Sequence, residues 1–232
     1  MSVAPPPGRE LLDDPASDPR AATESLRNIA RSNRWFGGRS VIEHGLTRLL
    51  EPAPRGSAFS LLDIGTGSGD LPAAAVRWGE TRGIRIVPVG LERHPTAARL
   101  ARMNGLPTAV GCAGYLPFGP RSVDVVLVSQ LAHHFDPEAR LRLFKACDRI
   151  ARRGVIISDL RRTELAAAGF WLAARLLGFD PATRADGITS IRRGFTEGEL
   201  VAQLGAAGIE ASVVRRPWFR FLVTWRTASE IE

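Results

Sequence analysis

The sequence predicts an α/β fold: a doubly wound, mostly parallel sheet of seven strands, finished by a C-terminal antiparallel hairpin. Three observations carry this. Short apolar runs alternate with helical segments over residues 59–159. Those runs are continuously apolar, as strands covered by helices on both faces require. After Gly208, two strand-like runs are joined only by a short turn at Pro217, and so short a connection permits only antiparallel pairing.

The elements follow in order. "FSLLD" is the first strand and "LPAAAVRWGE" the helix behind it. "IRIVPVGLE" is the second strand, and "PTAARLARMNG" a helix with Pro95 in its first turn and Gly105 past its end. "PTAVG" is a brief third strand and the β-branched "SVDVVLVS" a central fourth. Asp136 as N-cap and Pro137 at the first helical position open "DPEARLRLFKACDRIA", and "GVIISD" is the fifth strand. "FTEGELVAQLGAAG" carries a capping box from Thr196 to Glu199, and "IEASVVRR" and "WFRFLVTWR" form the hairpin. Before that helix lies "LAAAGFWLAARLLGFDPATRADGITSIRRG", too long for a routine connection. It reads as an apolar helix followed by a polar, arginine-rich loop.

The length of 232 residues suits one core with attachments. Residues 1–20, rich in Pro, Asp and Ala, are expected to be a mobile leader, and residues 21–56 a helical extension broken at Gly37-Gly38. Residues 57–232 make the domain, with residues 160–195 as a lid over the substrate. The net charge is +7, yet Lys145 is the only lysine and the arginines are scattered without a block, which argues against a dedicated nucleic-acid surface. The two cysteines, Cys112 and Cys147, make no disulfide framework and lack metal-ligand spacing. The N-terminus has no apolar core of a signal peptide and no stretch reaches transmembrane length, residues 165–179 being interrupted by Arg175. The expected setting is the cytoplasm.

The chemistry starts at "LLDIGTGSGD". A Walker-type phosphate loop needs Lys-Ser/Thr after its last glycine, and here Asp70 follows Gly69. A dinucleotide loop needs G-x-G-x-x-G, and here the pattern is G-x-G-x-G after Asp63, whose carboxylate would meet a pyrophosphate. A ligand with a cationic end suits the loop better, since glycines allow close backbone approach while Asp63 and Asp70 offer negative charge.

Asp63-Ile64-Gly65-Thr66-Gly67-Ser68-Gly69 resembles the cofactor motif of the class I S-adenosylmethionine-dependent methyltransferases. The resemblance continues with Glu92 at the tip of the second strand, where that family binds the ribose hydroxyls. It ends with "GCAGYLPFGPRSVDVVLVSQLAHHF", similar to the family's G-D-A-x-x-L-P-F, spacer and His-terminated strand. It implies a Rossmann-like methyltransferase fold and S-adenosylmethionine as cofactor. It also implies cofactor contacts from Asp63, Gly65, Thr66, Gly67, Gly69, Glu92, Arg93, Cys112, Ala113 and Ser129. One departure stands out: Cys112 replaces the Asp that often contacts the adenine amine, so backbone around Ala113 is expected to take over.

Methyl transfer from a sulfonium is an in-line displacement with a good leaving group, so the protein mainly positions the nucleophile and excludes water. A base is needed where the nucleophile arrives protonated. His133 and His134 close the fourth strand, where open parallel sheets bind ligands, and an imidazole of pKa about 6.5 accepts a proton from a phenol or enol. His134 is the favoured base, the alternative for either ring being a packed core group. No metal is expected, because adjacent histidines point apart and no further His or Cys falls at ligand spacing, Asp136 and Asp159 being the arguable additions. Asp159 reads as a substrate contact or as a helix N-cap, and Trp35, Phe170, Trp171 and Arg193 as further substrate contacts.

The His-His ending and the lid look most like small-molecule methyltransferases, including those of quinone and polyketide pathways. The expected reaction is O-methylation of a small lipophilic aromatic or polyketide-like hydroxyl compound. C-methylation of a quinol-type ring is the alternative within that class. A nucleic-acid methyltransferase is disfavoured, since Ser129-Gln130-Leu131-Ala132 lacks the Asn/Asp-Pro-Pro-Tyr/Phe signature and neither cysteine follows a proline. A non-catalytic cofactor-binding protein is favoured only by Cys112. Peripheral membrane contact through Trp35, Phe36 and residues 165–179 is a further expectation, and no oligomeric state follows from the sequence.

Overall fold

A computed structural model of the chain describes residue 8 and residues 10–227. Its helices are α1 (Pro19–Trp35), α2 (Gly38–Leu50), α3 (Asp70–Arg82), α4 (Pro95–Met103), α5 (Pro137–Ile150), α6 (Glu164–Leu176), α7 (Pro181–Arg193) and α8 (Glu197–Ala206). Its strands are β1 (Ala58–Ile64), β2 (Arg85–Glu92), β3 (Thr108–Val110), β4 (Val123–Ser129), β5 (Ala151–Leu160), β6 (Ser212–Arg216) and β7 (Arg220–Arg226). The strands form one sheet in the order β3-β2-β1-β4-β5-β7-β6. β7 runs antiparallel to both β5 and β6, and the other pairs are parallel. The expected doubly wound sheet with a terminal hairpin is what forms.

The continuous apolar strands are explained by burial on both sides. In β4, Val126 and Val128 pack toward Phe144 of α5 and Leu200 and Leu204 of α8, while Val125 and Leu127 face Leu46 of α2 and Leu71 and Trp78 of α3. α2 comes close enough that a Cβ on Gly45 would stand 2.7 Å from the Ile156 side chain. Chain order reverses between β1 and β4, so their C-terminal ends part and leave a crevice for a ligand.

Local signals set the helix ends. Asp136 accepts the Ala139 N–H at 2.8 Å with Pro137 following, and Thr196 and Glu199 form the capping box. The insertion departs from expectation: its second half is helix α7, not a loop. Asp180 caps it by accepting the Thr183 N–H at 3.0 Å, with Pro181 at the first position, the same Asp-Pro start as α5. The leader departs too. Residues 1–7 and 9 lie outside the described residues, but from Glu10 the chain makes a 3-10 turn (Leu11–Asp13) and is tied down before α1. The Ser17 hydroxyl lies 3.0 Å from His94 Nε2, and Asp18 caps α1. Among the described residues, no helix is long and apolar enough to cross a membrane.

Replacing Gly45 by Val should lower stability by about 1–3 kcal/mol, the usual cost of forcing extra methyl groups into a packed interface. Urea unfolding of the two proteins measures it, and an unchanged midpoint would mean that α2 does not sit this close to β5.

Candidate active site

The crevice opens into a cavity of about 450 Å³, bounded below by the ends of β1, β2 and β4 and above by α1, α6, α7 and the segment around Glu10. Gly65, Gly67 and Gly69 all adopt positive φ, at 75°, 57° and 80°. Such angles are strained for any residue with a side chain. At Gly65 a Cβ would also press to 2.9 Å from Leu131. Gly65, Thr66 and Gly67 line the cavity. Gly69 does not: it turns the chain into α3, where a Cβ would meet Leu106 at 3.1 Å, so the expected ligand contact is a structural turn.

Glu92 ties this loop to β2. One carboxylate oxygen accepts the Gly67 N–H at 2.8 Å and the other the His94 N–H at 2.9 Å. Asp63 accepts the Thr66 hydroxyl at 2.7 Å through Oδ2, while Oδ1 is buried without a partner. Burial, helped by the negative charges of Asp70 and Glu92 and opposed by the Thr66 hydrogen bond, pushes Asp63 up to about 7. A buried carboxylate with a free oxygen is a receptor for positive charge. Arg93, Cys112, Ala113 and Ser129 line the same cavity. The Ser129 hydroxyl has no partner, and Cys112 Sγ accepts the Gly114 N–H at 3.4 Å.

A polar cluster stands beneath α1. The Asn33 amide donates to Asp70 at 3.3 Å, and Gln130 Nε2 donates to Asn33 Oδ1 at 2.8 Å. Arg220 Nε donates to the Phe36 carbonyl at 2.8 Å, and its Nη1 has no partner. Burial lowers the Arg220 guanidinium to about 10, with Asp159 and Asp70 opposing the fall. Asn33, Asp70, Gln130 and Arg220 all line the cavity.

Two Asp–His pairs lie side by side at its far end. His133 Nδ1 is 2.7 Å from Asp159 Oδ1, both groups being almost wholly buried. His133 holds Asp159 below the ordinary carboxylate range although burial alone would raise it. Asp159 therefore orients His133 from behind and does not reach the cavity, contrary to its expected substrate contact. His134 stacks on His133, with ring centroids 4.3 Å apart and planes inclined by 32°. Its Nδ1 is 3.0 Å from Asp13 Oδ1, while Nε2 is 3.7 Å from Glu10 Oε2, beyond hydrogen-bond reach. Burial raises Asp13, but hydrogen bonds from His134 and the Glu10 backbone, with Arg193 nearby, outweigh it and hold the carboxyl well below its usual range. Glu10 goes the other way, raised mainly by burial.

The two histidines do not point apart as expected. Ligand atoms of Glu10, His133 and His134 lie within 4.8 Å of one another, but stacked rings send their lone pairs side by side rather than to one point, a poor bite for a metal.

Several expected substrate contacts move. Phe170 lines the cavity, packed edge-on to Phe36 and Phe179, each at 6.4 Å. Trp35 and Trp171 do not; they are 59 % and 46 % exposed, because the helix faces carrying them turn outward. Arg193 does not line it either. It clamps the N-terminal segment, 3.2 Å from Glu10 Oε1 and 3.4 Å from Asp13 Oδ2, and also donates to the Gly8 carbonyl. Glu10, Asp13, Asn33 and Arg220 have no sequence signal at this site, since each reaches it from far along the chain. Gln130 had one, its place directly after the fourth strand.

Residues 62–158 match the family described as "Methyltransferase domain". Solved structures share the fold. Magnesium protoporphyrin IX methyltransferase from Synechocystis PCC 6803, with bound SAH, superposes with a TM-score of 0.55 at 14 % identity, covering 83 % of this chain and 84 % of that one. A SAM-dependent methyltransferase from Aquifex aeolicus gives 0.58 at 19 %, covering 91 % and 99 %. An O-methyltransferase family protein from Burkholderia thailandensis gives 0.66 at 14 %, covering 95 % and 64 %. No curated protein sequence matches. Identities this low speak for the fold, while the family match falls on the strands and loops that build the glycine cradle and the unsatisfied Asp63. On these grounds residues 62–158 carry a methyltransferase domain on the Rossmann-like methyltransferase fold, a domain whose cofactor is S-adenosylmethionine.

Proposed function

We propose that this methyltransferase acts on a hydroxyl group of a small, lipophilic, aromatic or polyketide-like compound. The observation that carries the reading is His134, which borders a cavity walled by Phe36, Phe170, Phe179 and Trp218, with Nδ1 held by Asp13 and Nε2 left without a hydrogen bond. Aromatic walls with a few placed polar groups suit a flat, apolar acceptor. The Synechocystis neighbour, named for a small-molecule acceptor, and the Burkholderia neighbour, of an O-methyltransferase family, agree with it.

In this reading Asp63 and the backbone of Gly65, Thr66 and Gly67 receive the cationic part of the cofactor. Glu92 keeps lone pairs for the ribose hydroxyls, and Arg93, Cys112, Ala113 and Ser129 border the rest of the cofactor. Arg220 brings positive charge for its carboxylate. When bound, S-adenosylmethionine supplies a methyl group on a sulfonium, which leaves readily. His134 accepts the hydroxyl proton on Nε2 as the oxygen attacks, and Asp13 fixes the ring and stabilises the imidazolium. The His133–Asp159 pair supports that ring from behind. Phe170 of α6 and Phe179, in the connection between α6 and α7, keep water out.

Mass-spectrometric assay with a panel of phenols, naphthols and quinols is the test of the acceptor class; methylation of amines or thiols alone would sink the reading. With an active acceptor, His134→Gln should lower kcat by about 10²–10⁴-fold with cofactor affinity unchanged. Loss of cofactor binding in that variant would point instead to a structural role for the ring.

Cofactor binding can be measured by titration calorimetry with S-adenosylhomocysteine. A dissociation constant at or below about 10 μM is expected, about −7 kcal/mol, weakened several-fold in Glu92→Ala.

Asp63 adds a pH dependence. Its folded-state value near 7 lies above the ordinary aspartate value of 3.8, so the folded protein holds this proton while the unfolded chain releases it. The stability tied to Asp63 is therefore present below about pH 4 and lost as the pH rises through 7. A cationic ligand favours the ionised form, so affinity for S-adenosylmethionine should rise about tenfold from pH 6 to pH 8. Asp63→Asn should flatten both slopes, and a slope surviving in that variant would assign it to another group.

A further inference from the structure

Leu165, Leu172 and Leu176 are spaced i, i+7 and i+11 along α6 and therefore share one stripe of the helix. They are 70 %, 55 % and 79 % exposed, while Ala167 and Ala174 on the opposite side are buried. Trp171, 46 % exposed, stands about 100° round the helix from Leu172, with the Arg175 guanidinium 4.7 Å from its ring centroid. Two more indoles are exposed on segments that meet α6 through Phe36: Trp218 in the turn between β6 and β7, and Trp35, next to Phe36 at the end of α1, with Arg34 6.0 Å from its ring. Phe36 links these parts from inside, 5.7 Å from Trp218 and 6.4 Å from Phe170. Phe36, Phe170 and Trp218 all line the cavity, so Trp218, which is also more than half exposed, stands at its mouth.

We propose that this face, formed by the leucine stripe of α6 with Trp35, Trp171 and Trp218, docks on an anionic lipid bilayer, from which the lipophilic acceptor passes into the cavity. The proposal rests on the acceptor class argued above. Indoles beside arginines suit the headgroup level of a membrane, and an aliphatic helix stripe suits the acyl boundary just below it. Charge favours the anionic lipid: the chain carries +7, and Glu164 is the only carboxylate on α6. A stripe one side chain wide on one helix is also narrow for a second copy of the chain, since stable interfaces bury about 800 Å² on each partner.

Sedimentation with vesicles tests it, using phosphatidylcholine alone and phosphatidylcholine mixed with phosphatidylglycerol. The full chain should pellet with the mixed vesicles, less with the neutral ones, and less at high salt. Leu172→Ser/Leu176→Ser should cut the bound fraction at least fivefold while affinity for S-adenosylhomocysteine stays as in the parent. Wild-type protein that stays in the supernatant with both vesicles, or a double variant that pellets as well as the parent, would overturn the proposal. So would light scattering that shows a dimer for the parent and a monomer for the variant, which would assign the face to a second copy. Vesicle binding that holds while no hydroxyl acceptor is ever turned over would sink the acceptor reading and leave the docking intact.

Discussion

The ligand end of this sheet depends on how the chain leaves β1. Three alternate residues must adopt left-handed backbone angles, and the carboxylate of Glu92, anchored on β2, must catch the N–H of Gly67 to hold them there. That one tie fixes the loop against the second strand and leaves Asp63 sealed beneath it. It also sets where α3 begins, and through Asp70 and Asn33 it reaches α1. Loop, helix and carboxylate are one unit, and a change in any of them is felt as a change in the electrostatics of the cavity.

At the other end of the cavity the same principle is built twice. Asp159 with His133 and Asp13 with His134 are two carboxylate–imidazole pairs with stacked rings; both rings border the cavity, but Asp159 lies behind its ring while Asp13 stands at the cavity wall. Breaking a buried pair by removing one partner costs about 3–5 kcal/mol, because the charge left behind is uncompensated. The more deeply buried inner pair therefore resists change, and it gives the outer ring a rigid floor. The outer pair, completed by a segment that arrives from the far end of the chain, is free to be the chemically active one.

What could be read in the sequence was what neighbours along the chain decide. The glycine loop, the carboxylate at the tip of β2, the caps at Asp136 and Thr196 and the antiparallel finish are each specified within a few residues. α7 was legible in principle, since Asp180-Pro181 repeats the start of α5, but its polar composition masked it. Asp13 and Arg193 were not legible: they meet across 180 residues, and nothing in their surroundings marks them. Trp35 and Trp171 were legible as aromatic and not as outward-facing, because which sides of α1 and α6 are buried is decided by the elements they pack on. Gly69 misled for a similar reason: the motif shows three glycines and cannot show which of them carries the turn.

The N-terminal clasp has a consequence for the order of assembly. Glu10 and Asp13 leave the ribosome first, yet their partners His134 and Arg193 follow only after most of the chain has been made. The residues of β1, its loop and β2 have all been made by Glu92, well before the outer imidazole His134. Here the residues of the cradle come early, and the N-terminal segment cannot be fastened until His134 and Arg193 have been made.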